Sequence, residues 1–251
     1  MTKIILNGCN GKMGQVISRI VQDDETAVIC AGFDIVSNEQ NTYPVYTNPF
    51  DFHGDADVVI DFSHPSSFEN IMNYCKERKL PIIVATTGLS NAQKNLMEAM
   101  AKDVPVFFSA NMSLGINLLI DLARKATKLL NESFDIEIIE KHHNQKIDAP
   151  SGTALAIADA ISQDMKQSEY VYDRHLSRKK RNKSEIGIHA VRGGTIVGEH
   201  TVVFAGTDEI IELKHTATSK EVFAVGAVRA AKFMCGKPNG MYSMGDLIAT
   251  Y

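Results

Sequence analysis

Apolar runs and helix-period stretches alternate through the first half of the chain. KIILN (3–7) predicts a short strand, followed by a glycine-rich turn and a helix to about residue 23. AVICAGFD (27–34) and DVVIDF (57–62) predict two more strands, and the second of these is nearly continuously apolar, as in a strand buried on both faces. Ser63 offers a helix N-cap, Pro65 a first-turn proline, and IMNYCKERK a helix whose basic last turn suits its macrodipole. Pro81 stops that helix. PIIVAT (81–86) predicts a fourth strand, then a helix near 90–103, a fifth strand in VPVFFS (104–109), and a long helix from about Ser113 to Leu130. Such alternation predicts a parallel sheet with helices on both faces, with ligands at the carboxyl ends of its strands.

The pattern then changes. FDIEIIEK (134–141) alternates like a half-exposed strand, and a helix is expected near 152–165. IGIHAVR (186–192), VGEHTVVFAG (197–206) and EIIELKHTA (209–217) predict three further strands, with tight turns between them at Gly193-Gly194 and Thr207-Asp208. That is an antiparallel or mixed sheet in α+β style. A last helix is expected near 220–235, broken by GKPNG, and a domain boundary near residue 112.

Composition narrows this picture. With 251 residues, 44% of them hydrophobic, the chain can bury a core, which excludes wholesale disorder. A net charge of -4 gives no general drive toward nucleic acid or an anionic membrane, so an acidic ligand must be held by a local cluster. RKKRNK (178–183) is the one basic run, and it reads as a solvated loop rather than a targeting signal. No apolar run approaches the about 18 residues of a membrane span, and MTKIILNG reads as a first strand rather than a leader. Cys9, Cys30, Cys75 and Cys235 form no C-x-x-C pair and read as free thiols of a cytoplasmic protein.

The first turn carries chemistry. NGCNGKMGQVISRI follows a strand and opens a helix, the context a dinucleotide loop requires. Its spacing is G-x-x-G-x-x-G. Gly8 permits a tight turn, Gly11 lets backbone N–H groups approach a pyrophosphate, and Gly14 allows close helix–sheet packing. Asp34, at the end of the second strand, can bond both ribose hydroxyls of NAD and would repel a 2′-phosphate. Ile35 follows it, so no arginine is offered to NADP there, although Lys12 could reach a 2′-phosphate. NADH is therefore expected as the preferred cofactor, with NADPH tolerated. Two small polar loops, Ala85-Thr86-Thr87-Gly88 and Ser109-Ala110-Asn111-Met112, follow the fourth and fifth strands and could admit a nicotinamide ring, or be ordinary turns. The fold class expected is α/β: a Rossmann-like parallel-sheet domain plus a second α+β domain with a mixed or antiparallel sheet.

EKHHNQKIDAPSGTA (140–154) concentrates acid–base groups. His142 and His143 could be metal ligands, but neighbours in an extended chain point to opposite sides and no third ligand stands at zinc spacing, so no metal is expected. They could be surface residues beside a solvated Lys146. Against that, the stretch joins a strand to a helix start at Pro150-Ser151-Gly152-Thr153, which puts a proton donor and an ammonium beside backbone N–H groups suited to a carboxylate. That set suits reduction of a small, acidic, unsaturated substrate.

GCNGKMG, ATTG, SANMSLGIN, EKHHNQKIDAPSGTA and AVRGGTIVGEH together resemble the 4-hydroxy-tetrahydrodipicolinate reductase (dihydrodipicolinate reductase) family over nearly the whole chain. The resemblance implies NAD(P)H-dependent reduction of a cyclic dicarboxylate, with loss of water, to tetrahydrodipicolinate in the diaminopimelate route of bacterial lysine biosynthesis. By position it implies His142 as general acid, Lys146 as its partner, His143 as a substrate contact, and Ser151, Gly152 and Thr153 as the carboxylate holder. Gly8, Cys9, Asn10, Gly11, Lys12, Met13 and Asp34 match the cofactor loop and ribose acid. Ala85, Thr86, Thr87, Ser109, Ala110, Asn111 and Met112 match the nicotinamide loops. It further implies residues 1–112 as the dinucleotide-binding domain with 221–251 returning to it, and 113–220 as a substrate-binding domain whose sheet builds a homotetramer. Two departures stand out: Ala85 where many members carry glycine, and Asp34-Ile35 where some carry an acid–arginine pair. The competing classes are another NAD(P)-dependent amino-acid dehydrogenase, such as an aspartate or homoserine dehydrogenase, and a catalytically silent dinucleotide sensor. The first should lack HHNQKIDAPSGT. The second needs a partner-binding element, and no helix-turn-helix pattern is present.

Overall fold

The computed structural model describes residues 1–37, 41–175 and 177–251. In chain order the elements are β1 (Thr2–Asn7), α1 (Lys12–Gln22), β2 (Ala27–Phe33), β3 (Val45–Tyr46), β4 (Val58–Asp61), α2 (Phe68–Arg78), β5 (Ile82–Val84), α3 (Asn91–Met100), β6 (Pro105–Phe108) and α4 (Leu114–Leu130). They continue with β7 (Asp135–His142), α5 (Gly152–Ser162), β8 (Glu169–Val171), β9 (Glu185–Arg192), β10 (Gly198–Ala205), β11 (Ile210–Ala217), α6 (Glu221–Met234), β12 (Gly240–Tyr242) and α7 (Met244–Ile248). The chain divides into two compact units, Met1–Ser113 with Glu221–Tyr251, and Leu114–Lys220.

In the first unit an all-parallel sheet runs β12-β6-β5-β4-β1-β2-β3. Strand order reverses between β1 and β4, and a crevice opens at the carboxyl ends of strands at such a point. The apolar runs seen in sequence are its core: Ile4, Ile5, Val58, Val59, Ile60, Ile82 and Ile83 are all fully buried. One face packs on Phe68, Met72 and Tyr74 of α2, and Tyr74 sets its ring edge-on to Phe33 at 5.3 Å. α6 lies against α1, β4 and β5, and β12 extends the sheet beyond β6. The helix after β4 starts differently from the sequence expectation. Pro65–Ser67 forms a 3-10 turn capped by the His64 imidazole rather than by Ser63, because the Ser63 hydroxyl is drawn to Asp61.

In the second unit a mixed sheet runs β11-β10-β7-β9-β8, with β7, β8 and β9 parallel and β10 and β11 antiparallel to their neighbours. Its inner face (Ile136, Ile138, Ile186, Ile188, Val202, Phe204) packs on Leu119 and Ala123 of α4 and on Ala154, Ile157, Ala158 and Ile161 of α5. The Thr207-Asp208 turn joins β10 to β11 as a hairpin, with Asp208 at φ +63. Gly193-Gly194 does not make a hairpin. β9 and β10 flank β7, so this connection crosses over the end of β7. There the Gly193 N–H donates to the His142 carbonyl at 2.9 Å, and the Asn144 N–H donates to the Gly194 carbonyl at 3.2 Å.

Candidate active site

In the first unit the chain leaves β1 and turns at Gly8, φ +81, where a Cβ would lie 2.7 Å from the Phe62 carbonyl oxygen. Both dihedral and space demand glycine. At Gly14 a Cβ would meet the Gly8 and Cys9 carbonyl oxygens at 2.3 and 2.6 Å, so α1 packs directly onto the loop. Gly11 is the N-cap of α1, no side chain caps that end, and no acidic residue stands in the first turn. Its N–H groups and partial positive charge remain directed at an incoming anion. Asp34 accepts the Asn10 N–H and the Ile35 N–H, both at 2.8 Å. It therefore braces the loop as well as lining a cleft of about 570 Å³ with Gly8, Asn10 and Gly11. Ser63, His64, Ser66 and Asn70 line the same cleft and escaped the sequence reading. These features fit a dinucleotide: a cradle without Cβ atoms, an open helix start, and a carboxylate just past the end of β2. Cys9 contributes backbone only. Its thiol is fully buried against Gly32, and burial, then the Asp34 charge, push it up to about 12. Lys12 is exposed at the first position of α1, and Met13 follows half-buried.

Asp61 is the second group the sequence did not flag. It ends β4 with no exposure, and burial pushes its carboxyl up. It accepts Asn7 Nδ2 and Thr86 Oγ1 at 2.8 Å each and the Ser63 hydroxyl at 2.5 Å. The carboxyl ends of β1, β4 and β5 are thus tied through one carboxylate, which links the residue before Gly8 to the Ala85–Thr87 loop. In the other expected loop, the Ser109 hydroxyl donates to the Asn111 carbonyl at 3.0 Å, and Asn111 Oδ1 accepts the Ser113 N–H at 2.8 Å. Ala110 is exposed, and Met112 is buried beneath α6, where a Cβ at Gly226 would overlap its carbonyl.

In the second unit the alternation of β7 continues past its isoleucines. Ile136, Ile138, Glu140 and His142 share the inward face, so the last two turns of that period bury a carboxylate and an imidazole. Glu140 has no exposure. Its oxygens accept Arg192 Nη1 and Nη2 at 2.7 Å each, His142 Nδ1 at 2.6 Å and the Ser151 N–H at 3.0 Å. Burial pushes this carboxyl up, but the hydrogen bonds from Arg192, His142 and Ser151 outweigh it and hold it below the ordinary glutamate range. Glu140 was legible in principle: parity along FDIEIIEKH places it with the core residues. Arg192 was not, because it arrives from β9.

The Ser151 hydroxyl caps α5, accepting the Ala154 N–H at 3.1 Å, and lies 3.1 Å from His200 Nε2. Ser151 is therefore spoken for by the helix start. His200 stacks edge-on to His142 with ring centroids 5.2 Å apart. Burial, then the proximity of His142, pull His200 down to about 4, so it is neutral at neutral pH. The Lys146 N–H donates to the His143 carbonyl at 3.1 Å, which turns the chain back, and Lys146 Nζ pairs with Asp148 at 2.8 Å. That ammonium holds the Asp148 carboxyl below its ordinary range. Gly152 is exposed with nothing within 4 Å of a Cβ, Thr153 is half-buried, and His143, which follows His142, is partly exposed. Among the described residues no three His, Cys, Asp or Glu side chains converge as a metal site, and no helix is long and apolar enough to cross a membrane.

The RKKRNK run is partly structural. Arg181 reaches Glu137 and Asp135 at 3.0 Å and the Ile136 carbonyl at 2.9 Å, and Lys183 pairs with Asp135 at 3.1 Å. Two of its five cations are thereby paired with β7.

Comparison with known proteins covers both units of the chain. The family profile "Dihydrodipicolinate reductase, N-terminus" matches residues 2–112, and "Dihydrodipicolinate reductase, C-terminus" matches residues 115–248. The chain is 51% identical over 248 residues to 4-hydroxy-tetrahydrodipicolinate reductase of Clostridium novyi (strain NT), covering 99% of this chain and 98% of the relative. It is 52% identical over 249 residues to the enzyme of that name from Clostridium tetani (strain Massachusetts / E88), covering 99% and 97%. In fold it is similar to a dipicolinate-bound dihydrodipicolinate reductase from Paenisporosarcina sp. TG-14, with a TM-score of 0.82, 23% identity, and 97% of each chain covered. The dinucleotide cradle of the first unit, the carboxylate–imidazole pair of the second and these matches along the whole length lead to one assignment: the chain belongs to the dihydrodipicolinate reductase family and is an NAD(P)H-dependent oxidoreductase.

Proposed function

We propose that this protein reduces 4-hydroxy-tetrahydrodipicolinate, with loss of water, to tetrahydrodipicolinate, in the diaminopimelate route of lysine biosynthesis and in the cytoplasm. The observation that carries this reading is the buried His142 imidazole beside Lys146 and the α5 start, in a chain whose other unit holds a dinucleotide cradle. The names of its relatives, and the dipicolinate held by the Paenisporosarcina protein, support a planar dicarboxylate as substrate.

When bound, a reduced nicotinamide supplies a hydride. The chain's own residues do the rest. The α1 N-terminus and the Gly8–Met13 backbone hold the pyrophosphate, and Asp34 takes the ribose hydroxyls. Ala85–Thr87 and Ser109–Met112 line the nicotinamide. The Gly152 and Thr153 backbone at the α5 start, which Ser151 caps, and the Lys146 ammonium hold a substrate carboxylate, with Lys146 leaving Asp148 to do so, and His143 contacts the ring substituents. His142 delivers a proton to the carbon next to the one that receives hydride. Loss of water from the 4-hydroxy form gives the conjugated ring; that ring gains a hydride and a proton, two electrons and two protons in all, one double bond is lost, and His142 is left neutral. NADH is the preferred donor because the Asp34 carboxylate opposes a 2′-phosphate, with exposed Lys12 allowing some NADPH use. The sheet of the second unit builds a homotetramer.

The test is direct. The product of dihydrodipicolinate synthase is supplied with NADH or NADPH and the loss of reduced-nucleotide absorbance is followed. Absence of substrate-dependent oxidation with both nucleotides refutes the reading. His142→Gln and Lys146→Ala should each lower kcat about 10²–10⁴-fold, the usual worth of a general acid, with nucleotide KM unmoved. Variants close to wild type would overturn these two roles.

A further inference from the structure

We propose that Glu140 is a positioning residue that locks the His142 imidazole as its Nδ1–H tautomer, so that Nε2 is the atom from which the catalytic proton leaves. This rests on His142 being the proton donor.

Every group around the Glu140 carboxylate is a donor. Arg192 offers two guanidinium N–H groups, and Ser151 offers its backbone N–H. A proton on either oxygen would face one of these donors, so the carboxylate is held as an acceptor. An ionised carboxylate only accepts. The 2.6 Å contact from Glu140 Oε2 to His142 Nδ1 therefore requires hydrogen on Nδ1 in both charge states of the ring. The ring cannot readily turn away from this partner. Its backbone carbonyl is pinned by the Gly193 N–H, and its face meets His200 edge-on.

The other ring nitrogen lies beside the one residue in the row that has no side chain. β7 and β9 pair His142 with Arg192, while on the opposite side Gly198 opens β10. A Cβ on Gly198 would sit 3.2 Å from His142 Nε2. Glycine leaves the space around that nitrogen open. When Nε2–H gives its proton to substrate carbon, the neutral ring retains Nδ1–H on Glu140. No ring flip is needed before solvent returns a proton to Nε2. Arg192 keeps Glu140 in place, and it also holds the Asp148 carbonyl at 2.6 Å, which fixes the loop that carries Lys146.

The experiment is ¹⁵N NMR of the ring-labelled histidines in the full-length protein, at a pH where His142 is neutral, with His142→Gln identifying the signal. Wild type should show protonated Nδ1 and bare Nε2. In Glu140→Gln the signal should move toward the Nε2–H tautomer that free imidazoles favour. The same substitution should lower kcat about 10²-fold with the NADH KM unmoved, which a loss of folding would not produce. Gly198→Ala should lower kcat while the tautomer stays as in wild type. A wild-type His142 carrying its neutral proton on Nε2 overturns the proposal, and this needs no variant to fold. Wild-type turnover in Gly198→Ala overturns the Nε2 exit. If wild type does not reduce the dicarboxylate at all, the functional reading fails while the tautomer result still stands.

Discussion

Arg192→Met measures what the guanidinium does for the buried carboxylate. In wild type, Glu140 has no exposure and receives both Arg192 nitrogens at 2.7 Å. The substitution keeps an unbranched chain of similar length but removes the charge and both bonds, leaving only His142 Nδ1–H and the Ser151 N–H. Removing one partner of a buried pair costs about 3–5 kcal/mol. The Arg192 side chain is 19% exposed, so water partly replaces it and the lower figure applies. At about 2–4 °C per kcal/mol for a chain of this size, about 3 kcal/mol lowers Tm by about 6–12 °C. The pH dependence has a definite sign. The wild-type Glu140 carboxyl lies below its unfolded value, so its contribution is present above the ordinary glutamate range and is lost as pH falls through the folded value. In the variant, burial is no longer outweighed and the carboxyl is pushed up. Its cost is then full at neutral pH and fades as the group protonates. Calorimetry at pH 7 and near pH 4.5 should therefore show a gap between the two proteins that narrows in acid. A gap under about 2 °C at pH 7, less than 1 kcal/mol at that conversion, or one of equal size at both pH values, would refute this electrostatic account.

Gly14→Ala places a Cβ 2.3 Å from the Gly8 carbonyl oxygen, so it should cost about 1–3 kcal/mol and weaken NADH binding in a fluorescence titration. Gly152→Ala, with open space around it, should leave stability within about 0.5 kcal/mol, and equal losses at the two sites would contradict the packing argument. Asp34→Ala removes the acceptor of the Asn10 N–H along with the carboxylate proposed to take the ribose hydroxyls, so NADH affinity should fall at least about 10-fold, the worth of one charge-assisted bond. The NADPH to NADH ratio of kcat/KM should rise, and an unchanged ratio would show that Asp34 does not discriminate. Asp61→Ala removes the acceptor that the Asn7 amide and the Thr86 hydroxyl share, leaving Asn7 only the Ser63 hydroxyl, and should cost about 1–3 kcal/mol, with weaker NADH binding through Gly8; melting and titration curves like wild type would exclude that link.

The sequence by itself determined the elements whose signal is local. Long apolar runs gave the five central strands of the parallel sheet, and period and caps gave most helices to within a few residues. The glycine spacing marked the cradle because Gly8 takes a positive φ and Gly14 packs on the Gly8 and Cys9 carbonyls of the same loop. The His-Lys-PSGT stretch placed its acid–base groups on one strand end and one helix start. Only the tertiary structure decided what depends on pairing between distant segments. β3, β8 and β12 are two or three residues long, and their place as strands comes from the edge they join, not from their own composition. The order β10-β7-β9 placed the expected Gly193-Gly194 tight turn in a crossover, since two strands near in sequence were drawn to opposite sides of a third. That same order brings Arg192 across 52 residues to Glu140, and the parallel sheet brings Asn7 and Thr86 to Asp61. A buried carboxylate is stable only where enough donors converge on it, and convergence is a property of three dimensions. The chain could announce a histidine and a lysine in one stretch; which donors surround the buried Glu140 carboxylate was decided by the fold.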